Sequence, residues 1–300
     1  MRSGSAADRL RYTLPMPSIA IVSKPNKPEL GAILEELIAW LWAKGYSPIL
    51  DSISGSYTAA APVIAREELA NHKPALVIVL GGDGTLLAAA RLFAKMQAPI
   101  LSVNLGSLGF LTEVRLSELY ATLEAWCVDC GAIDARAMLH VELWRRGELI
   151  CSSEALNDAV ISKGTISRMG HFSVHVDGHL AAKYKADGLI VATPTGSTAY
   201  SLSANGPVLE PSVDALIVTP VCPHLLTVRP LVVRGDAHLQ LHVIDGAEPT
   251  YLTVDGQESR ALEEGDELHC CRSEDKVTLL RVGSGSFYDV LRTKLKWGER

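Results

Sequence analysis

Residues 81–85 read Gly81-Gly82-Asp83-Gly84-Thr85, directly after the unbroken apolar run at 75–80. Glycines at Gly81, Gly82 and Gly84 permit positive φ and close approach of a ligand to the backbone. If a helix starts here, its first N–H groups and its partial positive charge suit phosphate oxygens. The stretch matches neither the G-x-x-x-x-G-K-[ST] phosphate loop nor the G-x-G-x-x-G dinucleotide fingerprint. Asp83 is the unusual member, because a carboxylate facing phosphates is repelled unless a cation stands between them or the carboxylate serves as a base. The chemistry indicated is phosphate handling on a loop of Gly81, Gly82, Gly84 and Thr85, with Asp83 taking a proton.

A second constellation runs from Asp187 to Ser201. The apolar segment 189–192 empties into Thr193-Pro194-Thr195-Gly196-Ser197-Thr198-Ala199-Tyr200-Ser201. So many uncharged hydroxyls, punctuated by Pro194 and Gly196, suit a flat polar ligand such as a base or an amide.

The elements that position these residues follow from periodicity. The segment 18–22 is strand-like, and Leu30, Ile33, Leu34, Leu37, Ile38 and Leu41 recur at helical spacing until Gly45. An extended piece at 47–50, a helix near 63–71, a strand at 75–80, a helix at 86–96 and a strand at 99–104 continue the alternation. A strand apolar throughout, as at 75–80, belongs to a parallel sheet covered on both faces. The first part of the chain is therefore an open α/β domain, with Asp83 at the carboxyl end of a strand, where such sheets bind ligands. After residue 130 the rhythm changes to strands and tight turns. Bends at Arg146-Gly147, Asp177-Gly178 and Asp255-Gly256 mark hairpins and a largely antiparallel β half. Helical spacing returns at 287–297, through Val290, Leu291 and Leu295.

The chain has 300 residues, with 34 acidic against 28 basic side chains and a formal charge of −6. It lacks the broad positive field that binding to nucleic acid or an anionic membrane surface requires. No apolar run approaches the ~18 residues of a membrane span. Residues 1–15 carry Arg2, Arg9 and Arg11 but no apolar stretch behind them, so a secretory signal does not fit. The six cysteines read as reduced thiols of a cytoplasmic protein. Cys127 and Cys130 form a C-x-x-C, but the adjacent Cys270 and Cys271 lack the spacing that zinc ligation favours.

Several further short motifs accompany the glycine loop in a fixed order. They are Asn104-Leu105-Gly106, Leu108-Gly109-Phe110-Leu111, Asn157-Asp158, the Asp187–Tyr200 run, Pro220-Val221-Cys222-Pro223-His224 and Asp255-Gly256-Gln257. Together they resemble the motif series of the bacterial NAD kinases, from about residue 18 almost to the C-terminus. The Gly-Gly-Asp-Gly element alone is shared with diacylglycerol and sphingosine kinases; the full series is not.

The resemblance implies an α/β plus β architecture: a short extension at 1–17, a Rossmann-like N-terminal domain at 18–130, and a β-rich, sandwich-like NAD-binding domain at 131–283. The C-terminal helix at about 284–300 is expected to pack back on the first domain. It further implies phosphoryl transfer from ATP, or from polyphosphate, to the 2′-hydroxyl of the adenosine ribose of NAD. A divalent metal, Mg²⁺ or Mn²⁺, carried by the ATP phosphates, and a homodimer or homotetramer belong to the same expectation. Within it, Asp83 is the catalytic base. Gly84, Asn157, Asp158, Arg168, Lys185, Asp187, Thr198, Ala199, Tyr200, Ser201, Leu202, Ser203 and Gln257 contact NAD. One departure stands out: the family often has Asn-Glu where this chain has Asn157-Asp158, so the carboxylate reaches one methylene less far. The rival readings are an NAD-binding sensor without catalysis, against which Asp83 speaks, and a lipid kinase, which needs a membrane-facing patch that the sequence lacks.

Overall fold

A computed structural model describes residues 16–106, 109–128, 131–164, 169–244, 249–281 and 286–297. Arg168, Cys130, Leu108 and the extension at 1–15 lie outside the described residues. Two compact units divide the chain between Ile78 and Val79.

In the first unit the strand Ser18–Ser23 pairs in parallel with Ser47–Asp51, which pairs in parallel with the two-residue strand Val63–Ile64. The helix Leu30–Ala43 crosses between the first two strands and buries Leu30, Leu34, Leu37, Ile38 and Leu41, the stripe its spacing predicts. It ends at Lys44, and Gly45 follows with φ +83°, a left-handed conformation that costs glycine nothing. The helix expected at 63–71 is instead the short strand Val63–Ile64 and the 3₁₀ segment Arg66–His72. Two physical causes explain the difference. Leu50 N–H donates to the Pro62 carbonyl at 2.9 Å, which draws this stretch alongside the sheet, and only Leu69 of the following seven residues is buried. A fully buried Asp51 organises the neighbouring corner: it accepts the Ser54 N–H at 2.7 Å and the Arg66 Nε–H at 2.8 Å.

The second unit carries both motifs. The strand Leu76–Leu80 enters it and is followed at once by the helix Asp83–Phe93, which starts three residues earlier than its apolar periodicity indicates. The strand Ile100–Asn104 pairs in parallel with Val114–Arg115 and with the end of the long strand Glu267–Arg281. The helix Leu119–Cys127 follows.

The remainder is two antiparallel arrays. In one, His179–Ala186, Gly170–Val176, Leu239–Val243, Glu267–Arg281, Ala132–Arg145 and Glu148–Ala155 lie side by side. In the other the order is Leu231–Arg234, Ala215–Val221, Gly188–Ala192, Asp158–Lys163, Thr250–Val254 and Glu258–Leu262. Leu139, Val141, Phe172, Val174 and Leu241 of the first array share one core with Leu189, Val191, Leu216, Val218 and Val254 of the second. This is the expected sandwich.

The three predicted hairpin turns form with left-handed residues at their tips: Arg146-Gly147 and Asp177-Gly178 are two-residue loops, and Asp255-Gly256, at φ 49° and 66°, lies within the three-residue loop 255–257. The two-residue loops have the type I′ geometry that matches strand twist. The helix Phe287–Leu295 starts at a reciprocal cap between Ser286 and Asp289. Among the described residues no helix is long and apolar enough to cross a membrane.

Candidate active site

Asp83 opens the helix Asp83–Phe93 at the carboxyl end of the strand Leu76–Leu80, where its negative charge meets the positive end of the helix dipole. Gly82 and Gly84 do not use left-handed φ, contrary to one expected role. A Cβ at either position would meet no described residue within 4 Å, so among the described residues these glycines leave open space beside the helix N-terminus. That space, rather than an unusual dihedral, is what a phosphate requires.

The Asp83 carboxylate is gripped by the segment 110–112. Oδ1 accepts the Leu111 N–H at 3.2 Å, the Thr112 N–H at 3.1 Å and the Thr112 hydroxyl at 3.0 Å. Among the described residues Oδ2 accepts the Phe110 N–H alone, at 2.9 Å. The motif Gly109-Phe110-Leu111 thus acquires a physical purpose that the sequence did not disclose.

A second locus lies at the start of the strand Asp158–Lys163. A cavity of about 380 Å³ is lined by Asn157, Asp158, Val160, Ser162, Ala199, Tyr200, Thr253, Asp255 and Gly256, within the range of small-molecule sites. Asn157 Oδ1 is buried there with no hydrogen-bond partner among the described residues. An acceptor left unpaired in a polar cavity favours a ligand N–H. Gly196 explains how the hydroxyl-rich loop reaches this point, since a Cβ on it would overlap the Asn157 backbone carbonyl. Thr193 fixes the same approach: its N–H donates to Asn157 O at 2.9 Å and its hydroxyl to Leu156 O at 2.6 Å.

Asp255 does more than form a turn. Its carboxylate accepts the N–H groups of Leu156, Asn157 and Asp158 at 2.9, 2.8 and 3.1 Å. Burial raises its pKa, while those three N–H donors and the positive Arg91 oppose the rise. Asp158 is 5% exposed. Burial first, and the negative Asp255 second, push it up to about 7. Asp255, with three donors, is the better stabilised anion of the pair, and Asp158 is the member that takes up a proton more readily.

Gln257 ties this hairpin to the glycine loop. Its Nε2–H donates to the Gly84 carbonyl at 2.7 Å, and its Oε1 accepts from Arg91 at 2.8 Å. Arg91 also pairs with Glu258 at 3.3 Å. The cavity and Asp83 are therefore joined by a hairpin whose Asp255 and Gly256 line the first and whose Gln257 grips the residue after the second.

Of the residues expected to contact NAD, the structure brings Asn157, Asp158, Ala199 and Tyr200 to the cavity. Thr198 is half-buried and donates to the Thr195 carbonyl at 3.2 Å. Ser201 is fully buried and shares a 2.8 Å hydrogen bond with Thr219, facing the core. Leu202 is half-buried and Ser203 exposed. Lys185 and Asp187 are exposed and do not line the cavity; the Asp187 N–H donates to Val221 O at 2.9 Å. Sequence reasoning missed Arg91, Thr112 and the carboxylate of Asp255. Gly109 and Gly196 were the available signals, being glycines in no turn pattern.

Residues 19–129 match the model of the ATP-NAD kinase N-terminal domain, and residues 156–282 that of the ATP-NAD kinase C-terminal domain. The chain is 62% identical to an NAD kinase of Acidobacterium capsulatum over 285 residues, 95% of this chain and 100% of that protein. It is 50% identical to an NAD kinase of Koribacter versatilis over the same coverage. Yeast NADH kinase complexed with NADH resembles it with a TM-score of 0.86 at 25% identity, over 96% of this chain and 90% of that one. An NAD kinase from Archaeoglobus fulgidus in complex with ATP has the same fold, with a TM-score of 0.70 at 23% identity over 88% and 93% of the two chains.

Proposed function

The chain belongs to the ATP-NAD kinase family, which converts NAD to NADP with ATP, and we propose that Asp83 accepts the proton of the ribose 2′-hydroxyl during that reaction. The observation that carries this reading is the uneven loading of its carboxylate, with three donors on Oδ1 and one on Oδ2. With one donor against three among the described residues, Oδ2 keeps acceptor capacity for a hydroxyl.

In the step itself the 2′-oxygen forms a bond to the γ-phosphorus of ATP and the bond from that phosphorus to the ADP oxygen breaks. The hydroxyl proton passes to Asp83 Oδ2, and ADP leaves. A sugar hydroxyl is a weak nucleophile near neutral pH, and a positioned base typically contributes ~10²–10⁴-fold. Most of the remaining acceleration in phosphoryl transfer comes from positioning and charge neutralisation. The open N-terminus of the helix Asp83–Phe93, with Gly81, Gly82, Gly84 and Thr85, supplies N–H groups for phosphate oxygens.

Among the described residues no group of three or more His, Cys, Asp or Glu side chains could hold a metal ion. In this reading Mg²⁺ or Mn²⁺ would arrive with ATP, carried on its phosphates, and would supply charge neutralisation there. On the NAD side, Asn157 Oδ1 accepts an N–H of the dinucleotide, Asp158 meets ribose hydroxyls and Tyr200 stacks. Asp187 accepts from the carboxamide, and Arg168 and Lys185 serve as cationic contacts for phosphates. Labour divides accordingly: 18–130 supplies the base and the phosphate loop, and 131–283 the dinucleotide pocket. On the family resemblance we place the protein in the cytoplasm as a homodimer or homotetramer.

The test is a labelling experiment. Purified protein given γ-labelled ATP, Mg²⁺ and, in parallel, NAD or diacylglycerol should label only NAD, and a chelator should abolish the labelling. Labelled lipid, or labelling that survives chelation, contradicts the reading.

A further inference from the structure

We infer that Thr112 is a positioning residue for the reaction, its hydroxyl and the backbone around it holding Asp83 so that one carboxylate oxygen is spent on the protein and the other is presented to substrate. The inference rests on the reading of Asp83 as the base and adds a residue that acts through it.

The direction of the Thr112 hydroxyl is set by its neighbours. Asn104 Oδ1 accepts the Gly106 N–H at 2.6 Å, which fixes the orientation of the amide and turns its Nδ2 to Thr112 Oγ1 at 2.8 Å. Because the amide nitrogen can only donate, Thr112 oxygen accepts from it, and the single hydroxyl proton is left for Asp83 Oδ1 at 3.0 Å. Thr112 is fully buried and Asn104 is 7% exposed, so water cannot replace either bond, and a chain of bonds running one way strengthens each member.

The cradle is closed on its other sides. A Cβ at Gly109 would overlap both Asp83 Oδ1 and Thr112 Oγ1. No side chain fits between the carboxylate and the hydroxyl, which accounts for glycine at that position. Ser102, also buried, donates to the Leu111 carbonyl at 3.0 Å and holds the segment from behind. A carboxylate with three fixed donors on one oxygen cannot swing to exchange its oxygens without breaking all three. Asp83 therefore meets its substrate pre-aimed, and errors in such aim reduce turnover rather than binding.

The experiment compares Thr112→Val, Thr112→Ser and Asp83→Asn with the wild-type enzyme, measuring kcat and KM for NAD on protein shown to be folded by its melting transition. Thr112→Val keeps the shape and deletes the donor. It should lower kcat about 10- to 100-fold, with KM for NAD changed by less than about threefold, the split of an interaction that acts only on the reacting geometry. Thr112→Ser should restore most of kcat. If Thr112→Val does not fold, Thr112→Cys, whose thiol is a weak donor, takes its place and should fall between Ser and the Asp83→Asn level. In an Asp83→Asn background Thr112→Val should cost nothing further.

Folded Thr112→Val with wild-type kcat, a Ser variant no better than Val, or additive losses in the double variant would each overturn the inference. If Asp83→Asn itself turns over normally, the base reading fails. If it is inactive while Thr112→Val is normal, only the role of Thr112 fails.

Discussion

Replacing Asp158 by Asn removes a buried carboxyl while keeping its size, and the consequence for stability has a definite sign. In the folded chain Asp158 is pushed up to about 7, against an ordinary 3.8. Between those values the folded state holds a proton that the unfolded state has released, so stability falls as pH rises through that window and levels off above it. At about 1.36 kcal/mol per pH unit, the full penalty is about 4 kcal/mol above pH 7 and vanishes below the unfolded value. Asparagine does not titrate. The stability advantage of Asp158→Asn should therefore widen by about 2–3 kcal/mol between about pH 5 and pH 8, the part of the window that remains. Urea unfolding of both proteins at these two pH values measures it directly. An advantage that is the same at both pH values, or that shrinks as pH rises, would show that Asp158 does not carry the proton of the Asp158–Asp255 pair.

Gly196→Ala places a methyl group against the Asn157 carbonyl; overpacking of this kind costs about 1–3 kcal/mol, and calorimetry should show NAD affinity weakened at least about tenfold through displaced Asn157. Gln257→Ala removes two hydrogen bonds present in the ligand-free fold, and at about 1 kcal/mol each it should lower stability by about 1–2 kcal/mol in urea unfolding, with KM for NAD raised as the hairpin loosens. Arg66→Met strands the buried Asp51 carboxylate; chemical denaturation should register a loss of about 3–5 kcal/mol, and adding Asp51→Asn should recover part of it.

Local pattern was enough for elements whose apolar residues face one way. The helix Leu30–Ala43, the buried strand Leu76–Leu80 and the three hairpins follow from stripe, run and turn residues that act over a few positions. Periodicity failed at 63–71, where a long-range backbone bond to Leu50 decided the conformation. It also placed the start of the helix Asp83–Phe93 too late, because the first turn, Asp83-Gly84-Thr85, carries no apolar residue and is not buried in the core. At the site, Asp83 and Tyr200 stood out by residue type and place, whereas Asn157 and Asp158 entered through the family resemblance; the structure brings Asn157, Asp158 and Tyr200 to one cavity. Arg91, Thr112 and the acceptor role of Asp255 were not legible, because each acts on a partner 29 or more residues away, the shortest being the separation of Thr112 from Asp83. Ser201 illustrates the converse: within a run of hydroxyls, only the fold separates those facing the ligand from those, like Ser201 with Thr219, that satisfy the core.

The central claim, that Asp83 takes the proton of the ribose hydroxyl, is tested most directly by separating binding from chemistry in Asp83→Asn. The amide keeps the size of the carboxylate but cannot accept a proton at neutral pH. NAD affinity by calorimetry should stay within about threefold of wild type, while the single-turnover rate of NADP formation with Mg²⁺ and ATP falls by ~10²–10⁴-fold, the usual contribution of a general base. A variant that binds NAD normally and forms NADP at the wild-type rate would contradict the account.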